Sequence, residues 1–348
     1  MSDCALTVSA AVDYICCRAS PKYGGRHHCR CLSKMTSEHR GPDDNGPLVS
    51  VVIPHYNDLV GLKTCYARLQ RQTWPRNDIE IVVADNNSAC GIDAVQSTVP
   101  NAVVIAAPIQ GAGPARNAGV AASCGRIVAF LDSDCVPEPD WIQEGVAALQ
   151  RYDFVGGEVV TFARRADKPN PVEAYERVFN FNFRRYIQKV GFTGTGNMFV
   201  PRSVFDQVGG FRTGVAEDVD WSFRARSLGY RIGYAERAVV GHPARRSWND
   251  LEQRWARMEA EHFLLWRERR SGRALFALRA LIMPLSAVPH AGRVVFTSRL
   301  VGPRARLGAI AVLFRLRLWR ARRMLWLAWR NSLPAAATGP ADVGLPRN

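Results

Sequence analysis

Short β-branched runs, each closed by a polar turn, alternate with segments of helical period through the middle of this chain. Leu48 to Ile53 is one such run; closed by Pro54, it fits a buried strand feeding a loop. Leu59 to Gln72 then places Leu62, Cys65, Tyr66 and Leu69 on one helical face. Ile79 to Ala84 reads as a second strand, stopped by Asp85-Asn86-Asn87-Ser88, and Ala102 to Ala107 as a third. Ala115 to Ser123 has helical spacing, and Arg126 to Leu131 is the strand that follows it. Strands alternating with helices through short loops predict an α/β, doubly wound, mostly parallel sheet covered on both faces. Ligands of such sheets sit at the carboxyl ends of the strands, so the loops Pro54 to Asp58, Asp85 to Ser88 and Asp132 to Asp134 are expected to converge.

The ends of the chain differ from this middle. Residues 1–46 carry no sustained period and finish in the turn-forming run Gly41 to Gly46 before Pro47, so they are expected to be a poorly ordered leader. His28, Cys29 and Cys31, with Cys16 and Cys17 upstream, invite a zinc reading, but no CxxC pair stands at finger spacing from a partner. An untranslated extension is an alternative, because Met35 begins a polar stretch leading into the first strand. Nine cysteines in 348 residues are too few for a disulfide scaffold, and no secretory apolar core opens the chain, so the thiols are expected to be reduced. This length suits one large α/β domain plus a tail.

Candidate chemistry concentrates where the fourth strand ends. Ile127 to Leu131 runs into Asp132-Ser133-Asp134, and in extended backbone residues i and i+2 face the same way, so the two carboxylates can share one ligand. Hard divalent cations take carboxylate and phosphate oxygens, so Mg²⁺ or Mn²⁺ on a diphosphate fits. A lone DxD is a weak motif, since aspartates also cap loops.

The segments Val49 to Asn57, Ile81 to Ser88, Ala115 to Gly119 and Phe130 to Asp134, in that order and spacing, resemble the family 2 glycosyltransferases of the GT-A fold. Further on, Gly194 to Asn197, Val208 to Phe211, Glu217 to Trp221, Arg224 and Gly229 to Ile232 resemble that family's acceptor half. The resemblance covers roughly residues 48 to 242 and implies a catalytic domain at 47–242, with a nucleotide-binding half at 47–135 and an acceptor half at 136–242. It implies an inverting transfer from a nucleotide-diphospho-sugar, expected to be UDP-linked, with Mn²⁺ or Mg²⁺ as cofactor. Pro54, Tyr56 and Asp85 match base and ribose contacts, and Arg116 a nucleotide-side position where a guanidinium could pair with the diphosphate. Asp132 and Asp134 match the nucleotide-sugar and metal motif, the second being the direct metal ligand. Asp218 matches the catalytic base, flanked by Glu217 and Asp220, with Gly196 and Asn197 also on the acceptor side. Acidic residues at 217, 218 and 220 would equally complement a helix N-terminus, and both readings can hold.

Departures from the family pattern qualify that picture. Asp85-Asn86 replaces two adjacent aspartates, so an amide is expected to make a base contact. His242 follows Ala238-Val239-Val240 where some relatives supply a histidine to the metal; a structural histidine is the alternative. Gly111-Ala112-Gly113 lacks the third glycine of a dinucleotide fingerprint, Arg116 standing in its place, which excludes a hydride-transfer enzyme. A nucleotidyltransferase would need an early basic phosphate-gripping loop that Pro54 to Leu59 does not offer, and a catalytically inactive lipid-binding scaffold is the other rival.

Charge changes the picture of the tail at 243–348. The formal net charge of +15 is uneven: no Asp or Glu lies between Glu268 and Asp342, while fourteen arginines run from Arg269 to Arg330. Trp248, Leu251, Trp255, Met258, His262 and Leu265 give a helix expected to pack on the catalytic domain, with Arg254 and Arg257 solvated or reaching a diphosphate. Leu307 to Phe314 is too short to span a bilayer, and Leu313 to Trp329 mixes tryptophans with arginines as an interfacial helix does. An anionic membrane surface is therefore the expected partner, on the cytoplasmic inner face, with a glycan or lipid-linked acceptor. The alternative is a helical pair packed on the domain with its arginines in water. No recognition motif accompanies the charge, so no nucleic acid is expected.

Overall fold

A computed structural model describes residues 49–267 and 270–330, so the leader and the zinc reading at Cys16 to Cys31 lie outside the described residues. Among these residues one eight-stranded sheet comprises β1 (Val49–His55), β2 (Ile79–Asp85), β3 (Val103–Ala106), β4 (Ile127–Leu131), β5 (Val136–Pro137), β6 (Phe154–Phe162), β7 (Asn197–Pro201) and β8 (Ile232–Pro243). Between and around the strands run α1 (Leu59–Leu69), α2 (Ile92–Thr98), α3 (Ala112–Ala121), α4 (Trp141–Ala148), α5 (Pro171–Phe179), the one-turn α6 (Phe183–Arg185), α7 (Arg202–Val208) and α8 (Glu217–Ser227). The tail supplies α9 (Trp248–Arg267), α10 (Gly272–Ile282), α11 (Ala287–Phe296) and α12 (Pro303–Trp329).

Spatial order in the sheet is β3-β2-β1-β4-β7-β6-β8-β5. The four strands β3, β2, β1 and β4 are parallel, β7 runs antiparallel to β4 and β6, and β6 is parallel to β8. Alternate β1 side chains enter different cores: Val49, Val51 and Ile53 pack with Leu62, Cys65 and Leu69 of α1, whereas Val52 packs with Val120 of α3 and Phe130 of β4. Burial on both faces is why these strands read as continuous apolar runs rather than alternating ones. Register pairs His55 with Asp85, which brings the ends of β1 and β2 level.

The expected strands form, and the expected buried face of α1 is the observed one. Helix α3 starts at Ala112 rather than Ala115, because Gly111 adopts φ +130° and turns the chain early enough to add a turn. Gly119 lets α3 lie against the sheet: a Cβ there would meet Val52 Cγ1 at 2.4 Å. That close approach seats Arg116, one turn earlier on α3, at the carboxyl edge.

The tail differs from the expectation of a separate interfacial helix. Pro303 to Trp329 is a single helix of 27 residues whose inner face buries Val312, Leu313 and Leu316 against Val172 and Tyr175 of α5 and Leu251 of α9. Farther along, Met324 and Leu327 pack with Phe263 of α9 and Phe276 of α10. Each such side chain contributes roughly 1.5–3 kcal/mol by burial, which favours docking on the domain. Arg320 and Arg323 are each only 5% exposed, so they lie neither in water nor at a lipid headgroup level. Arg320 donates from Nε and Nη2 to Oε1 of the fully buried Glu259 at 2.6 Å and stacks on Trp255. The outer face keeps large apolar side chains exposed, among them Leu278, Leu281, Leu285 and Phe296. Among the described residues no single helix is long and apolar enough to cross a membrane, and α10 with α11 reaches that composition only as a pair bent by 52°.

Replacing Gly119 with alanine should cost about 1–3 kcal/mol through overpacking against Val52. Chemical denaturation measures it; an unchanged midpoint would mean that α3 can shift away without penalty.

Candidate active site

The carboxyl ends of β1 and β2 are tied together before any ligand is considered. Asp58 donates its backbone N–H to His55 Nε2 at 3.3 Å, which leaves the proton on Nδ1 to be donated to Asp85 Oδ1 at 3.0 Å. Ser88 donates its N–H to Asp85 Oδ2 at 3.1 Å, so both oxygens of this buried carboxylate have protein partners. Asn57, at φ +53°, accepts from Ala89 N–H at 2.7 Å and stitches the two loops. Tyr56 between them is 44% exposed and presents its ring at the cleft edge, and Pro54 is half-buried in β1.

Asn86 corrects one expectation. Its amide donates to Ala107 O at 2.6 Å and to Ile109 O at 2.8 Å, and its Oδ1 accepts from Gly111 N–H at 2.7 Å. Both amide hydrogens are thus consumed in holding the loop that enters α3, and neither is free for a base. Sequence alone could not show this, because these partners lie more than twenty positions downstream.

Arg116 joins the two halves of the site. It is 4% exposed, donates from Nη2 to Asp132 Oδ1 at 2.6 Å and from Nη1 to Glu217 Oε1 at 2.9 Å, while its Nε has no partner. Burial opposes the guanidinium's charge, but Asp132 and then Glu217 outweigh it and raise the pKa further. Gly196 is required beside this pair, since a Cβ there would fall 2.7 Å from Asp132 Oδ2. Sequence reasoning placed Arg116 toward a diphosphate; in the structure both Nη atoms hold carboxylates.

Asp134 faces a different set. His242 is fixed by donating from Nδ1 to the carbonyl of Pro243 at 2.7 Å, which turns Nε2 toward Asp134 Oδ2, 3.5 Å away. Phe181 packs edge-on against that imidazole. Burial raises the Asp134 pKa, His242 opposes this, and Asp132 and Asp58 raise it again. A cation beside Asp134 would relieve the crowding by Asp132 and Asp58, and a neutral His242 would offer it Nε2. Among the described residues no three His, Cys, Asp or Glu side chains converge on a point, so Asp134 and His242 would leave several coordination positions to phosphate oxygens and water, as Mg²⁺ chemistry permits.

At the start of α8, Asp218 is half-buried and accepts from Val219 N–H at 2.8 Å. Burial, then repulsion from Glu217, pushes its pKa up to about 7, against the pull of Val219 N–H and Arg116. Glu261 of α9 adds to that repulsion and is itself raised to about 7 by burial, a contribution of the tail that no motif predicted.

Two expected acceptor-side residues lie elsewhere. Asn197 is fully buried: Oδ1 accepts from Trp141 Nε1 and Nδ2 donates to the carbonyls of Glu158 and Ala238, each at 2.9 Å. Asp220, 3% exposed, pairs with Arg224 at 2.8 Å and Arg212 at 3.4 Å, and Arg224 in turn holds the carbonyls of Val208 and Gly210. Both residues support the walls of the site rather than face a ligand. Arg254 is likewise neither solvated nor aimed at a diphosphate; it donates to Glu176 at 3.2 Å and to Asn180, over the Phe181 ring. Arg257 remains mostly exposed and pairs with Glu261 at 3.9 Å.

An open α/β sheet whose carboxyl edge gathers these carboxylates has the GT-A architecture. A mannosyltransferase from Pyrobaculum calidifontis, solved in complex with GDP-Man and Mn²⁺, shares the fold at a TM-score of 0.51 and 20% identity, over 81% of this chain and 86% of that one. Residues 50–209 match Glycosyl transferase family 2. Glycosyltransferase AglE of Haloferax volcanii is 32% identical over 259 residues, 70% of this chain and 83% of that protein. The pre-mycofactocin glycosyltransferase of Mycobacterium tuberculosis is 29% identical over 238 residues, 64% of this chain but only 48% of its own length. The chain belongs to the family 2 glycosyltransferases.

The Asp218 environment fixes a sign for stability. A carboxyl with its folded pKa raised favours the folded state below its unfolded value near 4, and that contribution is lost as pH rises through about 7. Asp218→Asn should therefore raise Tm relative to the parent at pH 8 and not at pH 4. Equal shifts at both pH values would mean that the group is not perturbed.

Proposed function

We propose that this glycosyltransferase moves a sugar with inversion from a nucleoside-diphosphate donor to an acceptor hydroxyl, with Asp218 as the base. The observation that carries the reading is the Arg116 bridge, which sets Asp132 and Glu217 on opposite sides of one guanidinium and so puts Asp218 at the same sheet edge as Asp132 and Asp134. In the proposed step the acceptor oxygen gives its proton to an Asp218 oxygen as it bonds the anomeric carbon. The bond from that carbon to the diphosphate oxygen breaks, and the nucleoside diphosphate leaves with the electron pair. A base near pKa 7 takes a proton efficiently at neutral pH, and placing both reactants on one edge supplies much of the remaining acceleration.

Tyr56 is proposed to stack on the base, with Pro54 and Asp85 shaping the nucleoside pocket and Gly196 leaving room beside Asp132. Mn²⁺ or Mg²⁺ would be held by Asp134 and His242, with Asp132 toward the donor, and would neutralise charge on the departing diphosphate. UDP-linked sugars are the proposed donors. GDP-Man, which the structural neighbour holds, is the comparison that tests this choice. The proposed acceptor is a lipid-linked glycan of a bacterial surface polysaccharide, met at the cytoplasmic face of the cell membrane. Support for that placement comes from the arginine-rich stretch between Glu268 and Asp342, which carries no acid, and from the exposed apolar side chains on α10, α11 and α12.

Purified protein incubated with a panel of nucleotide sugars, with and without Mn²⁺, should release nucleoside diphosphate in a metal-dependent manner. Asp134→Ala should remove that release. Asp218→Asn should keep donor affinity while lowering turnover by about a hundredfold or more, the scale of general-base catalysis. Its parent should lose turnover on the acid side with an apparent pKa about 7. Full turnover in Asp218→Asn, or a profile flat down to pH 5, would remove Asp218 from the role of base, and silence with every donor would favour an inactive scaffold.

A further inference from the structure

The tail contains a second concentration of charge that the transfer reaction does not use. Arg279 on α10 and Met283, one turn later, share a helix face, and Arg317 on α12 donates from Nη1 to the Met283 thioether at 3.0 Å. Arg320, three residues beyond Arg317, occupies the same stripe of α12. Arg279, Arg317 and Arg320 act on one another electrostatically, and Glu259 is the acid that acts on all three. Glu259 is already engaged by Arg320, so among the described residues Arg279 and Arg317 share its charge without an ion pair of their own, and Arg279 lies over the Trp266 ring.

Hydrogen-bonding capacity is left over as well. Arg317 Nε is buried without a partner and its Nη1 meets only a thioether, a weak acceptor. Arg323, 5% exposed beside the same bundle, also has an unpartnered Nε. Burial and the neighbouring arginines lower the Arg317 pKa to about 10, so the folded chain carries this cluster at a cost. An oxyanion with several acceptor oxygens would satisfy both the charge and the orphaned donors.

The side chains beside these arginines indicate the rest of that ligand. Leu278, Leu281, Ile282 and Leu285, between 47% and 71% exposed, form a stripe along α10 and its end next to the face that carries Arg279, with Ile282 one turn from it. Exposed apolar side chains beside a cluster of arginines match a molecule with a phosphate at one end and hydrocarbon at the other. We propose that the rim of the seam where α10 packs on α12 binds the phosphate of an anionic lipid between Arg279 and Arg317, with the lipid's chains against Leu278, Leu281, Ile282 and Leu285. The site rests on the membrane placement proposed above and makes it specific: α10 with its apolar edge meets the lipid, whereas α12 supplies cations from within the bundle.

Monomeric short-chain phosphatidylglycerol tests the site on the full chain without a membrane surface, and flotation on phosphatidylglycerol vesicles tests the placement separately. The lipid should raise Tm by at least about 2 °C. The double substitution Arg279→Gln, Arg317→Gln should abolish that rise while leaving the lipid-free Tm equal to or above the parent's, since it relieves repulsion. Arg304→Gln, Arg322→Gln, at exposed positions, should keep the rise, and metal-dependent donor cleavage should be unchanged in both. An equal rise in the first double variant, no rise in the parent, or an equal rise with inorganic phosphate would overturn the lipid site. If the parent floats under any of those outcomes, the membrane placement stands and only the site falls.

Discussion

A single buried guanidinium holds the two halves of the active site in register. Arg116 stands on α3, which the sheet positions through the close approach at Gly119, and it reaches Asp132 at the end of β4 and Glu217 at the start of α8. Removing one partner of a buried ion pair leaves an uncompensated charge and costs far more than a surface pair does. The bridge therefore fixes where Glu217 sits, and through it the electrostatic environment of Asp218. Burial and then Glu217 push the Asp218 carboxyl up to about 7, against the pull of Arg116.

The remaining walls follow the same economy. His55, Asp85 and Ser88 saturate one another, Asn86 consumes its amide on three backbone groups, and Asn197 and Asp220 are spent inside the protein. Among the described site residues, Asp132, Asp134, His242, Tyr56 and Asp218 keep atoms that no protein partner occupies. Rigid surroundings of this kind spare a ligand the cost of ordering its contacts.

The tail obeys a different constraint. Its inner apolar stripe is long enough to dock α12 along α5 and α9, and docking carries arginines inward with too few acids to match them. Stacking on Trp248, Trp255 and Trp326 answers part of that charge. Packing on the domain and meeting a lipid surface are thus compatible, because they use opposite faces of the same helices.

The sequence by itself determined the strand runs, the buried face of α1 and the family. These depend on neighbours within a few positions, where the periods of 2 and 3.6 dictate which side chains share a face. Tertiary structure alone decided that Arg116 would reach Glu217, 101 positions away, that Asn86, Asn197 and Asp220 would turn inward, and that Arg320 would be buried on Glu259. A polar side chain's role is set by whichever partner is present when it is desolvated, and that partner is chosen by topology rather than by local spacing.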